Sequence, residues 1–137
     1  MALWILLAVV VPVTLIWAVP RELKRRKALA FYLGRDCLGA AWRCTFPASS
    51  SDDIRRYLAL FAKALFFQAD AALKLAPTDR LIDIYRAAYP EADMPDAMEL
   101  ETIVRDFQAQ YSVGIREALH PGVTLGKIFA LTQNVAA

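Results

Sequence analysis

At 137 residues the chain is one domain in length, and its hydrophobic fraction of 58% exceeds the roughly 45–50% usual for soluble domains. The formal charge of +2 hides a split: residues 1–50 hold seven Lys/Arg against two Asp/Glu, and residues 51–137 hold nine against twelve. That distribution contains no basic stripe for nucleic acid, and two cysteines with one histidine do not make a zinc site.

Ala2 to Val19 carries no charged residue, and Thr14 is its only hydroxyl. Eighteen or so apolar residues at 1.5 Å each cover about 27 Å, close to the hydrocarbon thickness of a bilayer. Trp4 and Trp17 fall near the two ends, where indole rings favour an interface, and Pro12 is tolerated in a membrane helix. A basic collar follows at once, with Arg21, Lys24, Arg25, Arg26 and Lys27 around Glu22. A cleaved signal peptide would place its positive charge before the apolar run rather than after it. The expectation is a retained transmembrane anchor over residues 1–20, touching the lipid bilayer through residues 2–19. The positive-inside rule then makes this a single-pass protein of a bacterial inner membrane with its C-terminal domain cytoplasmic. On that reading the collar is a topology signal and needs no ligand.

Residues 21–34 are expected to continue the anchor helix as a stalk, with breaks at Gly34 and Gly39 and a short helix before Pro47. Pro47-Ala-Ser-Ser-Ser51 reads as a loop. Ser51 is an N-cap candidate, and Asp52 and Asp53 complement the dipole of the helix that follows. In that helix Ile54, Leu58, Phe61 and Leu65 recur at spacings of 4, 3 and 4, which is one apolar face. Thr78 or Asp79 is expected to cap a short helix through Ala88, and Asp96 to cap a longer one with Leu100, Val104, Phe107 and Tyr111 on its inner face. Gly114 is expected to end that helix, and Thr124 to cap a last one carrying Leu125, Ile128, Phe129 and Leu131. No strand pattern, repeat or Gly-rich phosphate loop is present.

Few constellations carry chemistry. Cys37 and Cys44 are seven apart, too distant along a helix for a disulfide, and are expected to be buried or interfacial. His120, just before Pro121-Gly122, reads as a turn or capping residue. Asp79, Asp83, Asp93 and Asp96 match no calcium loop. The expectation is no enzyme, no metal and no cofactor.

From about residue 54 onward the chain resembles an acyl carrier protein. Ile103, Val104, Phe107, Tyr111 and Ile115 fall where carriers keep core residues, and Thr124-Leu-Gly-Lys-Ile-Phe129 resembles a carrier ending. The resemblance implies a four-helix bundle whose second helix opens at an Asp-Ser-Leu signature. This chain has Asp96-Ala97-Met98 there, so the serine that would take a phosphopantetheine arm is missing. Carrier partners meet acidic residues on that helix, which implies Asp96, Glu99, Glu101 and Asp106 as a partner-binding face. A looser resemblance covers more of the chain. Leu75-Ala-Pro-Thr-Asp-Arg-Leu81 is similar to a segment of small bacterial proteins that join an apolar N-terminus and an Arg-rich collar to a carrier-like bundle. It adds architecture and no activity.

The expected fold is therefore all-α, one transmembrane helix followed by a four-helix carrier-like bundle: residues 1–20 anchor, 21–50 juxtamembrane stalk and short helix, 51–137 bundle. The expected function is a membrane-anchored interaction module without a prosthetic arm, in an adaptor, regulatory or immunity-type role toward an unidentified protein partner. The alternatives are a true carrier modified at another residue and a small structural subunit of an inner-membrane complex.

Overall fold

The computed structural model describes the backbone of residues 2–65, 67–90 and 97–136, and the side chains of these apart from residues 2, 3, 6, 97, 99, 135 and 136. Among the described residues there are six α-helices: α1 (Ala2–Leu33), α2 (Gly39–Thr45), α3 (Ser51–Ala64), α4 (Leu81–Ala88), α5 (Ala97–Tyr111) and α6 (Leu125–Ala136). Two 3-10 segments, Ala69–Lys74 and Arg116–Ala118, join them. The only β-pairing among these residues is an isolated antiparallel bridge between Arg80 and Thr124.

Local chemistry accounts for several helix ends. Ser50, one residue earlier than expected, caps α3 by accepting from the Asp53 N–H at 3.1 Å. Thr124 Oγ1 accepts from the Lys127 N–H at 3.3 Å and so caps α6, as its sequence position suggests. α1 stops at Gly34, where a Cβ would stand 2.8 Å from the Ala30 carbonyl oxygen, closer than any side chain tolerates. α5 stops earlier than Gly114, because Ser112 turns left-handed at φ 57° directly after Tyr111. Neither Thr78 nor Asp79 caps α4. Arg80 holds the capping position without a side-chain bond, and the Asp79 carboxylate turns back to accept from the Ala76 N–H at 2.7 Å.

The core is an aromatic cluster wrapped in aliphatic side chains. Trp42, Tyr57, Phe61, Phe107 and Phe129 are all fully buried. Tyr57 stands at the centre, with the rings of Trp42, Phe61, Phe107 and Phe129 within 4.9–6.3 Å, mostly edge-on, as ring quadrupoles prefer. The polar tips are satisfied: Trp42 Nε1–H donates to the Leu75 carbonyl at 2.7 Å and Tyr57 O–H to the Leu125 carbonyl at 2.6 Å. The core reaches back before residue 51, since Leu29 and Tyr32 of α1 and Trp42 of α2 belong to it.

The bridge locks two helix starts together. Leu81 N–H donates to Val123, Leu125 N–H to Asp79, and Gly126 N–H to Pro77. The approach at the last pair is so close that a Cβ on Gly126 would lie 2.9 Å from the Pro77 carbonyl oxygen.

The transmembrane expectation is corrected here. Among the described residues no helix is long and apolar enough to cross a membrane. The physical reason is that α1 is not a separate span: the helix that carries the apolar run goes on through Arg21, Glu22, Lys24, Arg25, Arg26 and Lys27 and places Leu29 and Tyr32 in the core of the bundle. The anchor, the single-pass inner-membrane placement and the cytoplasmic location inferred from charge order are therefore withdrawn. In their place stands one helix of 32 residues, continuous through Pro12 and Pro20, with its last third in the bundle.

Candidate functional site

The feature that separates this molecule from an ordinary bundle is the first half of α1. Eleven large apolar side chains from Trp4 to Val19 are exposed, each by 47% or more, with Trp4 at 78% and Trp17 at 70%. They occur on every side of the helix, so the segment has no polar face. The hydroxyl of Thr14 does not supply one, because it donates to the Val11 carbonyl of its own helix at 2.9 Å. These side chains leave on the order of 1,000 Å² of apolar surface uncovered, above the few hundred Å² of the largest patch on a typical monomer.

The second half of α1 is fastened to the bundle. Leu29 and Tyr32 are buried, and three cationic side chains act as bolts. Arg25 Nε donates to the Ala88 carbonyl at 3.2 Å, which satisfies the C-terminal end of α4. Lys74 Nζ donates to the Leu33 carbonyl at 2.6 Å and closes α1 itself. Arg35 forms a 2.7 Å ion pair with Asp79, its guanidinium lying 4.5 Å from the Phe31 ring centroid and 4.8 Å from that of Tyr32. That pair is mostly shielded from solvent, with side-chain exposures of 22% and 11%. Burial, followed by the Asp79 and Asp83 carboxylates, pushes the Tyr32 hydroxyl above the usual tyrosine range. Burial does the same more strongly to Tyr57.

The basic collar divides between these halves. Arg21, Lys24, Arg26 and Lys27 are exposed, and Arg26 pairs with Glu22 at 3.0 Å. Its hydrogen bond, with the charges of both arginines, holds the Glu22 carboxyl below its ordinary range. Arg25 alone turns inward, toward α4.

The acidic face expected to bind a partner is only partly in view. Asp96 lies outside the described residues. Ala97 opens α5, Met98 is 76% exposed, and the Glu99 side chain lies outside the described residues. Glu101 is exposed and paired with Arg116 at 3.0 Å. Asp106 pairs with its neighbour Arg105 at 3.4 Å. Both described acids are thus neutralised locally by an arginine. Thr102, a nearby hydroxyl, donates to the Met98 carbonyl at 2.9 Å.

Cys37 and Cys44 are both exposed, which removes the buried alternative expected for them. His120 accepts from the Gly122 N–H through Nδ1 at 3.2 Å, which gives it the turn role its position suggested. Among the described residues no three His, Cys, Asp or Glu side chains converge as a metal-binding group. Sequence reasoning gave no role to Arg35, Asp79 or Lys74 in joining α1 to the bundle. These are long-range pairs, separated by more than forty residues, and no local pattern marks them.

An apolar pocket of about 230 Å³ lies between α4, α5 and the stretch after Arg116–Ala118, lined by Leu81, Tyr85, Leu100, Ile103, Leu119 and His120 among others. No family model, curated protein or solved structure matches the chain.

Proposed function

We propose that this chain is a protein-interaction module without enzymatic activity, in which the bundle presents the apolar arm of α1 to a partner protein. One observation supports the reading above the others: the exposed series from Trp4 to Val19, set on a helix that the bundle holds in a fixed direction. A surface of that kind is unfavourable in water at about 25 cal/mol per Å² and is stabilised only when something apolar covers it. Rigid attachment through Arg25, Arg35 and Lys74 limits the ordering cost of binding, because the arm need not search for its orientation.

The test is site-specific photo-crosslinking in the full chain. A benzophenone side chain at Val13 or Trp17 is expected to give a discrete protein adduct that the same probe at Ala59 on α3 does not. Adducts to lipid alone, or equal yields from both sites, would overturn the reading.

A second reading, a true acyl carrier modified at a residue other than Ala97, is favoured by the pocket of Leu81, Tyr85, Leu100 and Ile103, whose apolar lining suits a hydrocarbon chain. Co-expression with a broad phosphopantetheinyl transferase and intact-mass measurement tests it. A pantetheine-sized increment supports this second reading; an unchanged mass removes it.

A further inference from the structure

A cleft of about 330 Å³ opens between α2 and α3, with no residue of α1 in its lining, and its charge sets it apart. Arg43 comes to it from α2 and Arg55 from α3; Cys37, Ser51, Ile54 and Leu73 complete much of its wall. No carboxylate lines it. The two cations have little to hold them elsewhere. Arg55 meets only Asp52, at 3.6 Å, and that carboxylate is 84% exposed. Such surface pairs contribute about 0–1 kcal/mol and yield readily to a better partner. Among the described residues Arg43 has no ion-pair partner. Arg25, Arg26, Arg35, Arg80 and Arg116 are each matched to a carboxylate within 3.5 Å, whereas Arg21 and Arg86, also without an ion pair among the described residues, line no such cleft.

We propose that this cleft binds a small oxyanion, a phosphoryl or sulfate group, free or carried on a small organic molecule, through Arg43 and Arg55. A guanidinium presents planar paired donors that match the oxygens of such a group, and here two arginines line one cleft from different helices. The apolar contribution of Ile54 and Leu73 gives the site a wall against which an organic portion can rest. The proposal is independent of what covers α1.

The molecule carries its own reporter. The Cys37 thiol belongs to the lining, whereas Cys44, one residue beyond Arg43, is exposed but outside it. The full chain is alkylated with iodoacetamide at constant ionic strength while inorganic phosphate replaces chloride, and modification of each cysteine is followed by peptide mass. Phosphate is expected to slow Cys37 several-fold and to leave Cys44 unchanged. Arg43→Ala and Arg55→Ala are each expected to abolish the protection, with an unchanged far-UV circular dichroism spectrum and unfolding midpoint reporting that the fold is intact. A parallel arm with glycerol phosphate separates the two sources. Stronger protection than by phosphate assigns an organic phosphate; equal protection assigns the free anion. No protection at Cys37, equal slowing at both cysteines, or protection that survives in Arg43→Ala would overturn the proposal.

Discussion

The two halves of α1 share one backbone and follow opposite rules of burial. Up to Val19 nearly every described side chain is apolar and exposed; from Arg25 onward the helix carries charge, yet it places Leu29 and Tyr32 in the core. Hydrophobicity along the chain therefore does not predict which half is inside. What decides is the opposing surface. α1 meets α4 and the Ala69–Lys74 segment, with Arg25 on the Ala88 carbonyl and Leu29 and Tyr32 in the core, while the side chains of the apolar half stay exposed. The polar half is structural and the apolar half is free to engage something else.

That contrast can be broken by substitution, beginning with the largest expected effect. Leu29→Ala removes a side chain that is 6% exposed and leaves a cavity against the core, so unfolding should become easier by about 2–4 kcal/mol. Denaturant unfolding followed by far-UV circular dichroism measures it. A loss under about 0.5 kcal/mol, the range of an ordinary surface change, would mean that this half of α1 is not part of the cooperative unit.

Gly34→Ala comes next. Its new Cβ would meet the Ala30 carbonyl oxygen at 2.8 Å, and that oxygen is backbone and cannot swing away. A cost of about 1–3 kcal/mol is expected from the forced shift. Arg35→Ala should cost about 1–2 kcal/mol, because it leaves the Asp79 carboxylate shielded from water with only the Ala76 N–H as donor. The combination Arg35→Ala with Asp79→Asn should recover part of that loss, since no unmatched charge then remains; a double-mutant cycle with no coupling would show that the bolt between α1 and the bundle contributes nothing.

Much of the bundle was legible because its signals are local. The spacing of Ile54, Leu58, Phe61 and Leu65 identified one buried face around α3, and Ile103, Phe107 and Ile115, expected in the core, are fully buried. Thr124 was readable as a cap because capping is decided within four residues. The illegible parts depend on distant partners. Asp79 looks like an N-cap until Arg35 is placed beside it, and Gly114 looks like a stop until Ser112 turns first. The membrane expectation came from composition: an uncharged run reads the same whether or not a helix continues past it into a folded core. The arm is where local reading is least informative, since a side chain exposed on every face has no intramolecular partner to reveal its role.

The smallest expected effect is the sharpest test of the comparison. Trp17→Ala removes the largest kind of side chain, and in a core that change would cost about 3–5 kcal/mol. Here Trp17 is 70% exposed and belongs to no described ring pair, so its loss should move the unfolding midpoint by no more than the equivalent of about 0.5 kcal/mol. The same variant should weaken whatever the arm engages, because large aromatic side chains dominate binding at apolar contacts. Measuring both separates the two rules. A stable fold with weakened capture places Trp17 in an interface, and an effect on stability close to that of Leu29→Ala would mean that the arm folds back on the bundle and that α1 has one function rather than two.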